Sequence, residues 1–179
     1  MRVSNEEFLQ ATLSAMDLVY NIARRMVPRR EDAEDLVQET YLAAFRAWQE
    51  HRRPRRVEPW LATICLNLAR SGYRHRARRP QEASWEEMAV FPAESDPESA
   101  ALAALERRRV HRALWQISEE QRTAIALVDL GGFSTKDAAG ILQVPRGTIL
   151  SRLHRGRKAL AVLLADEVAD RDRTDGSGP

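Results

Sequence analysis

Ser134-Thr-Lys-Asp-Ala-Ala-Gly-Ile-Leu-Gln-Val-Pro-Arg-Gly-Thr-Ile-Leu-Ser-Arg-Leu-His-Arg-Gly-Arg-Lys-Ala-Leu160 is the stretch that decides the fold. Ser134-Thr-Lys-Asp137 has the chemistry of a helix N-terminus, with a hydroxyl to cap it and an acid for its dipole. The helix it opens carries Ala138, Ala139 and Leu142. A turn is expected through Gln143-Val-Pro-Arg-Gly147, and a second helix from near Thr148. This is helix-turn-helix spacing, with the small Ala139 where the two helices must approach. On the second helix Ile149, Leu153, Gly156 and Leu160 share one face. Thr148, Ser151, Arg152, Arg155 and Lys158 project from the other side, and Arg146 stands at the turn. Hydroxyls and arginines there suit phosphate anchoring and guanine edges in a major groove. The plainer reading is a solvated basic helix end, which the macrodipole also favours. The turn in front of it makes DNA binding the expectation.

Outward from this motif, the charge is sorted into blocks. The chain has 179 residues, 44% of them hydrophobic and 30% charged, with a net charge of only +2. Residues 31–45 hold five acids and no base, and residues 46–80 hold ten arginines against two acids. Residues 81–106 hold seven acids and no base; residues 140–160 hold five bases and no acid. A mixed solvated surface does not segregate this way, so separate binding surfaces are expected. The single cysteine, Cys65, excludes an internal disulfide or a multi-cysteine zinc site, and its position on an apolar stripe makes it a packing residue. Asn5, Glu6 and Glu7 do not resemble a secretory leader, and no run approaches the ~20 apolar residues of a membrane span. The expectation is a cytoplasmic protein without membrane insertion. His51, His75, His111 and His154 are scattered beside arginines, and no Gly-rich phosphate loop is present. No catalytic residue, cofactor or metal is expected.

Helical spacing recurs along the chain and strand signals are nearly absent, so the expected class is all-α. Residues 1–80 read as several helices broken at Pro28 and at Pro54 to Pro59. Residues 81–96 read as a flexible acidic linker, residues 97–165 as a second helical domain opened by Asp96-Pro97-Glu98, and residues 166–179 as a flexible tail. The architecture expected is two small helical domains on a tether. In the first domain Ala33, Leu36, Val37, Tyr41, Ala44 and Trp48 form one apolar face. Opposite lie Asp35, Gln38, Glu39 and Leu42, an acidic face with an outward leucine, suited to protein docking or merely to solvent. Farther on, Leu61, Ile64, Cys65, Leu68 and Gly72 fall on one side of a helix, and Thr63, Asn67, Arg70 and Arg74 on the other. Asparagine can bond an exposed base edge, while Arg74 and Arg76 can hold phosphate. Trp60 either packs in the core or supports an unpaired base.

Four stretches resemble one family. Gly147 to Leu160 is similar to the end of region 4 of the extracytoplasmic-function (ECF) sigma factors, and Glu119-Glu-Gln-Arg122 to the helix before it. Asp32 to Phe45 resembles region 2.2, and Pro59 to Arg79 resembles regions 2.3 and 2.4. The resemblance implies a subunit that directs RNA polymerase to promoters, with the polymerase doing the chemistry. Asp35, Gln38, Glu39 and Leu42 would then dock on the polymerase β′ clamp. Trp60, Thr63, Asn67, Arg70, Arg74 and Arg76 would face the −10 element. Arg146, Thr148, Ser151, Arg152, Arg155 and Lys158 would face the −35 element, in a domain that also docks on the β flap. It implies, too, an anti-sigma factor as partner; the 151–166 end is similar to a subgroup often paired with zinc-containing anti-sigma proteins. Three departures stand out: Gln143 where relatives place glycine, Ser71 where they often carry Asp, and Arg52 to Glu58 without their Gly and Phe pattern. A free-standing helix-turn-helix regulator is the alternative, and the acidic Asp32 to Phe45 helix argues against it.

Overall fold

The computed structural model describes residues 5–50, 53–76 and 97–175, with side chains over 5–50, 53–72 and 103–165. Eight α-helices, and no strand, occur among the described residues. The first half comprises α1 (Asn5–Thr12), a short 3-10 turn, α2 (Met16–Met26), α3 (Arg30–Gln49) and α4 (Val57–Arg76). The second comprises α5 (Pro97–Gln116), α6 (Glu119–Ile125), α7 (Thr135–Leu142) and α8 (Arg146–Asp175).

Local chemistry accounts for the breaks. Val27 is extended (φ −133°, ψ 146°), as a residue before proline must be, and it ends α2. Glu31 and Asp32 then sit in the first turn of α3, where the helix dipole favours acids. The expected break at Pro54 to Pro59 is shorter than the prolines implied, because α4 begins at Val57 and takes Pro59 into its first turn. A missing N–H is harmless there, since first-turn N–H groups lack an intrahelical partner anyway. At the other end, α8 runs on to Asp175, through most of the stretch expected to be a tail.

Phe8 anchors the first half. Its ring meets Phe45 (5.2 Å), Trp48 (5.7 Å) and Tyr41 (6.3 Å) edge-on, a favoured aromatic geometry, and so clips α1 onto α3. Ala33, Leu36, Ala44 and Trp48 are buried as the periodicity requires, with Val37 and Tyr41 half-buried beside them. Gly72 is exposed, and a Cβ added there would meet nothing within 4 Å, so it is not part of the packed face expected of it.

In the second half Ser118 caps α6, accepting from the Gln121 amide at 3.3 Å. The end of α6 widens into a π turn over Ala126–Leu130. Gly131 follows because nothing larger fits: a Cβ there would lie 2.8 Å from the Leu127 carbonyl and 3.0 Å from that of Ala126.

The two halves pack against each other. Helix α2 lies against α4 on one side and against α6 and the π turn on the other, while α4 also meets α7. Val19, Ile22 and Met26 therefore belong to one apolar cluster with Leu114, Ile125 and Leu127. Across this seam the Thr123 hydroxyl lies 3.7 Å from the Met26 sulfur, and His111 Nε2 donates to the Arg24 carbonyl at 3.0 Å. A carbonyl only accepts, so Nε2 carries the proton. Trp115 Nε1, itself a donor, stands 3.3 Å from that nitrogen as an edge contact. Arg56–Asp137 (2.5 Å) and Arg70–Glu119 (3.8 Å) bridge the rim.

Candidate nucleic-acid interface

The helix-turn-helix forms as its residues imply. Ser134 accepts from the Asp137 amide at 3.0 Å, and its hydroxyl donates to the Asp137 carboxylate at 2.8 Å, a reciprocal cap. That hydroxyl, and then Arg56, hold the Asp137 carboxyl below its usual pKa. Gln143 ends α7 in the left-handed region (φ 53°, ψ 45°), the conformation for which glycine is the ordinary choice. The bond from Val144 N to Ala139 O (3.1 Å) closes the turn. Helix α8 then begins at Arg146, directly behind Pro145 and two residues before the expected Thr148.

Ile149 and Leu153 seat α8 in the core, both at most 3% exposed. At Gly156 the helix crosses α6 so closely that a Cβ would stand 2.8 Å from Ile125 Cδ1 and 3.2 Å from Gln121 Cβ. This crossing fixes the direction in which the rest of α8 points. Ser151, Arg155 and Lys158 are exposed on the outward side, whereas Thr148 and Arg152 are half-buried on its flank. Arg146 is exposed and donates through Nε to the Thr135 hydroxyl at 3.0 Å, tying the turn to the start of α7. Arg157 grips Asp129 with both arms of its guanidinium (2.5 and 3.0 Å), and the pairing raises its pKa. Two outward residues, Leu150 and His154, were not among those expected. Neither is a hydroxyl or a permanent cation, although the same helical wheel places them beside Ser151.

Helix α4 is more occupied than its sequence implied. Asn67 is exposed as expected. Thr63 is half-buried, and its hydroxyl donates to the Pro59 carbonyl at 2.7 Å. Trp60 is half-buried with its ring 6.3 Å from that of Trp48, which matches the packing alternative. Arg70 is half-buried and directed at Glu119 of the other half. Arg74 and Arg76 lie within α4, but their side chains fall outside the described residues. Ser71 turns its hydroxyl back onto the carbonyls of Asn67 and Leu68, both at 3.0 Å. In the divergent loop before α4, Arg53 pairs with Glu7 (2.6 Å) and lies over the Trp48 ring at 5.3 Å.

On α3 the structure brings Asp35, Gln38, Glu39 and Leu42 together, all exposed, with Leu42 at 57%. Cys65, on the inner side of α4, is buried, with its thiol pushed up to about 12 by loss of water. Among the described residues no group of three or more His, Cys, Asp or Glu side chains is placed to hold a metal, and no helix is long and apolar enough to cross a membrane.

Known proteins share both halves. The sigma-70 region 2 family model matches residues 14–79, and the sigma-70 region 4 model matches residues 107–160. The chain is 37% identical over 150 residues to the ECF RNA polymerase sigma factor SigE of Mycolicibacterium smegmatis, covering 83% of this chain and 58% of that protein's length. It is 36% identical over 152 residues to the ECF sigma factor EcfG of Rhodopseudomonas palustris, covering 85% of this chain and 82% of that one. The fold is similar to that of the sigma factor RpoE of Bartonella quintana, solved in complex with the anti-sigma factor NepR. The TM-score is 0.75 at 31% identity, covering 89% of this chain and 98% of that one. With both regions matched in order and a likeness to an ECF protein over 85% of this chain, the chain belongs to the sigma-70 family of RNA polymerase sigma factors, in its ECF group.

Proposed function

We propose that this sigma factor docks on RNA polymerase core through α3 and reads promoter DNA with α4 and α8. One observation carries the reading. Helix α8 is seated on α6 by Ile149, Leu153 and Gly156, and this turns Ser151, Arg155 and Lys158 outward behind a capped helix-turn-helix. A helix so held enters a major groove with its hydroxyl and cations toward phosphate and base edges. On α3, exposed Asp35, Gln38 and Glu39 around an outward Leu42 supply orienting charge and apolar area for the β′ clamp. Exposed Asn67 is the residue of α4 best placed for an unpaired −10 base, with Arg70, Arg74 and Arg76 on the backbone and Trp60 and Thr63 supporting the helix from within. Arg146, Thr148 and Arg152 flank the −35 contact, and the same domain meets the β flap. The polymerase supplies the chemistry, and the work takes place on cytoplasmic DNA. Control falls to an anti-sigma factor, as in the Bartonella complex, and the 151–166 sequence favours the zinc-containing type.

The test uses sigma-free polymerase core, this protein and bacterial genomic DNA, with sequencing of RNA 5′ ends. Discrete starts sharing paired upstream elements are expected, and Asp35→Lys with Glu39→Lys should abolish them. Absence of discrete starts, despite DNA binding by the protein alone, would overturn the proposal and favour a free-standing regulator. Pull-down from native extract with a zinc assay tests the partner: recovery of polymerase core alone would refute it.

A further inference from the structure

Helix α8 carries a leucine where its charge pattern leads one to look only for polar groups. Leu150 is 49% exposed, while the residues beside it, Ile149 and Leu153, are fully buried. It is absent from the apolar side chains that pack on the core. Its neighbours on the same helical row are Arg146 and Arg157. Both are drawn aside, Arg146 to the Thr135 hydroxyl and Arg157 to the Asp129 carboxylate. The side chains at positions 150, 151 and 154 therefore stand between two tethered arginines, on the outward half of the helix. Of these, Ser151 is small and His154 lies one turn on, about 6 Å along the axis. Leucine has no hydrogen bond to offer. In a major groove the one apolar group it can meet is the 5-methyl of thymine.

We propose that Leu150 is a specificity residue that selects a thymine in the upstream promoter element by packing on its 5-methyl group, with His154 facing the neighbouring base pair. This rests on the reading of α8 as the helix that enters the major groove, and it adds the base that the helix prefers. The arginines tied to Thr135 and Asp129 serve as side walls that hold the helix at the groove and leave Leu150 uncovered between them.

The experiment uses the full chain and duplexes carrying the upstream element defined by the mapped starts. Each thymine is replaced in turn by deoxyuridine, which deletes only the methyl group. Withdrawing one methyl from contact corresponds to about a fourfold loss of affinity. Such a loss is expected at one thymine for the wild-type protein. Leu150→Ala should bind the thymine and uracil duplexes equally, close to the wild-type affinity for the uracil duplex. Because Leu150 is exposed, this variant should unfold at the wild-type urea midpoint, and Leu150→Gln gives a second check with similar bulk. Equal binding of all uracil duplexes by the wild type overturns the proposal, as does a thymine preference that survives in Leu150→Ala, or an upstream element with no thymine. Failure of the protein to bind the element at all would instead sink the reading of α8 as the DNA helix.

Discussion

Gly156→Ala sets two well-known effects against each other inside helix α8. Alanine is favoured over glycine inside a helix by about 0.8–1.0 kcal/mol. At this position, however, the new Cβ would stand 2.8 Å from Ile125 Cδ1 and 3.2 Å from Gln121 Cβ, against an ordinary carbon contact of about 3.5–4.0 Å. Overpacking of this kind costs about 1–3 kcal/mol, so the net result should run from roughly neutral to about 2 kcal/mol destabilising. Gly140 on α7 is the control, exposed and with nothing within 4 Å of its notional Cβ; Gly140→Ala should stabilise by up to about 1 kcal/mol. Ile125→Val deletes the colliding Cδ1 and alone should cost about 0.5–1.5 kcal/mol. Combined with Gly156→Ala it should cost about 1 kcal/mol less than the sum of the single changes, since the vacated space receives the new methyl. Urea unfolding with a common slope measures all four variants. Gly156→Ala should also weaken binding to the upstream element, because α8 must tilt to relieve the contact. If Gly156→Ala proves as stabilising as Gly140→Ala, or shows no coupling to Ile125→Val, the close crossing of α6 and α8 is wrong.

Gln143 holds a left-handed conformation that costs a side-chain-bearing residue about 1 kcal/mol, so Gln143→Gly should stabilise the fold by up to that amount, read as a raised urea midpoint, despite a more flexible unfolded chain. Cys65, buried with its thiol pushed up to about 12, should resist alkylation at pH 8 in the folded protein and react promptly in denaturant; rapid native reaction would contradict its burial. His111 is held below its ordinary pKa by burial, and the cations Arg24, Arg25 and Arg122 around it add to the effect. The folded state therefore binds fewer protons than the unfolded one below about pH 6.5, and the stability contributed by neutral His111 is present above that pH and lost as pH falls toward the folded value. The slope should reach at most about 1.4 kcal/mol per pH unit, and His111→Gln, which keeps a donor for the Arg24 carbonyl, should flatten it; an unchanged slope would remove His111 as the cause.

The parts of the molecule governed by near neighbours were legible in the sequence. Ser134 and Asp137 are three residues apart, and their reciprocal bond is fixed by local geometry, so the start of α7 could be placed. The buried stripe of Ile149 and Leu153 followed from helical period alone. Pro59 misled because a proline signals a break in most of a helix but not in its first turn. The chemistry of Arg70 suits DNA, and nothing near it in the chain announces that Glu119, 49 positions away, faces it. The contacts of His111 with Arg24 and of Asp137 with Arg56 likewise join distant parts of the chain, and no periodicity within either helix announces them. The outward position of Leu150 is set by how α8 is seated, and an apolar side chain gives no sign of it in sequence.

The seam between the halves bears on how the protein is held in check. Helices α4 and α7 are in contact there, and Arg70 is occupied by Glu119 across it. A target that engages α4 and α8 at separate sites competes with this contact, and its apparent affinity falls in proportion to the fraction of molecules whose halves are parted. If that fraction were about one in a hundred, binding would weaken roughly a hundredfold although Ser151, Arg155 and Lys158 stay exposed. A regulator then needs only to favour the joined form, and one that touched neither α4 nor the outward face of α8 would silence both.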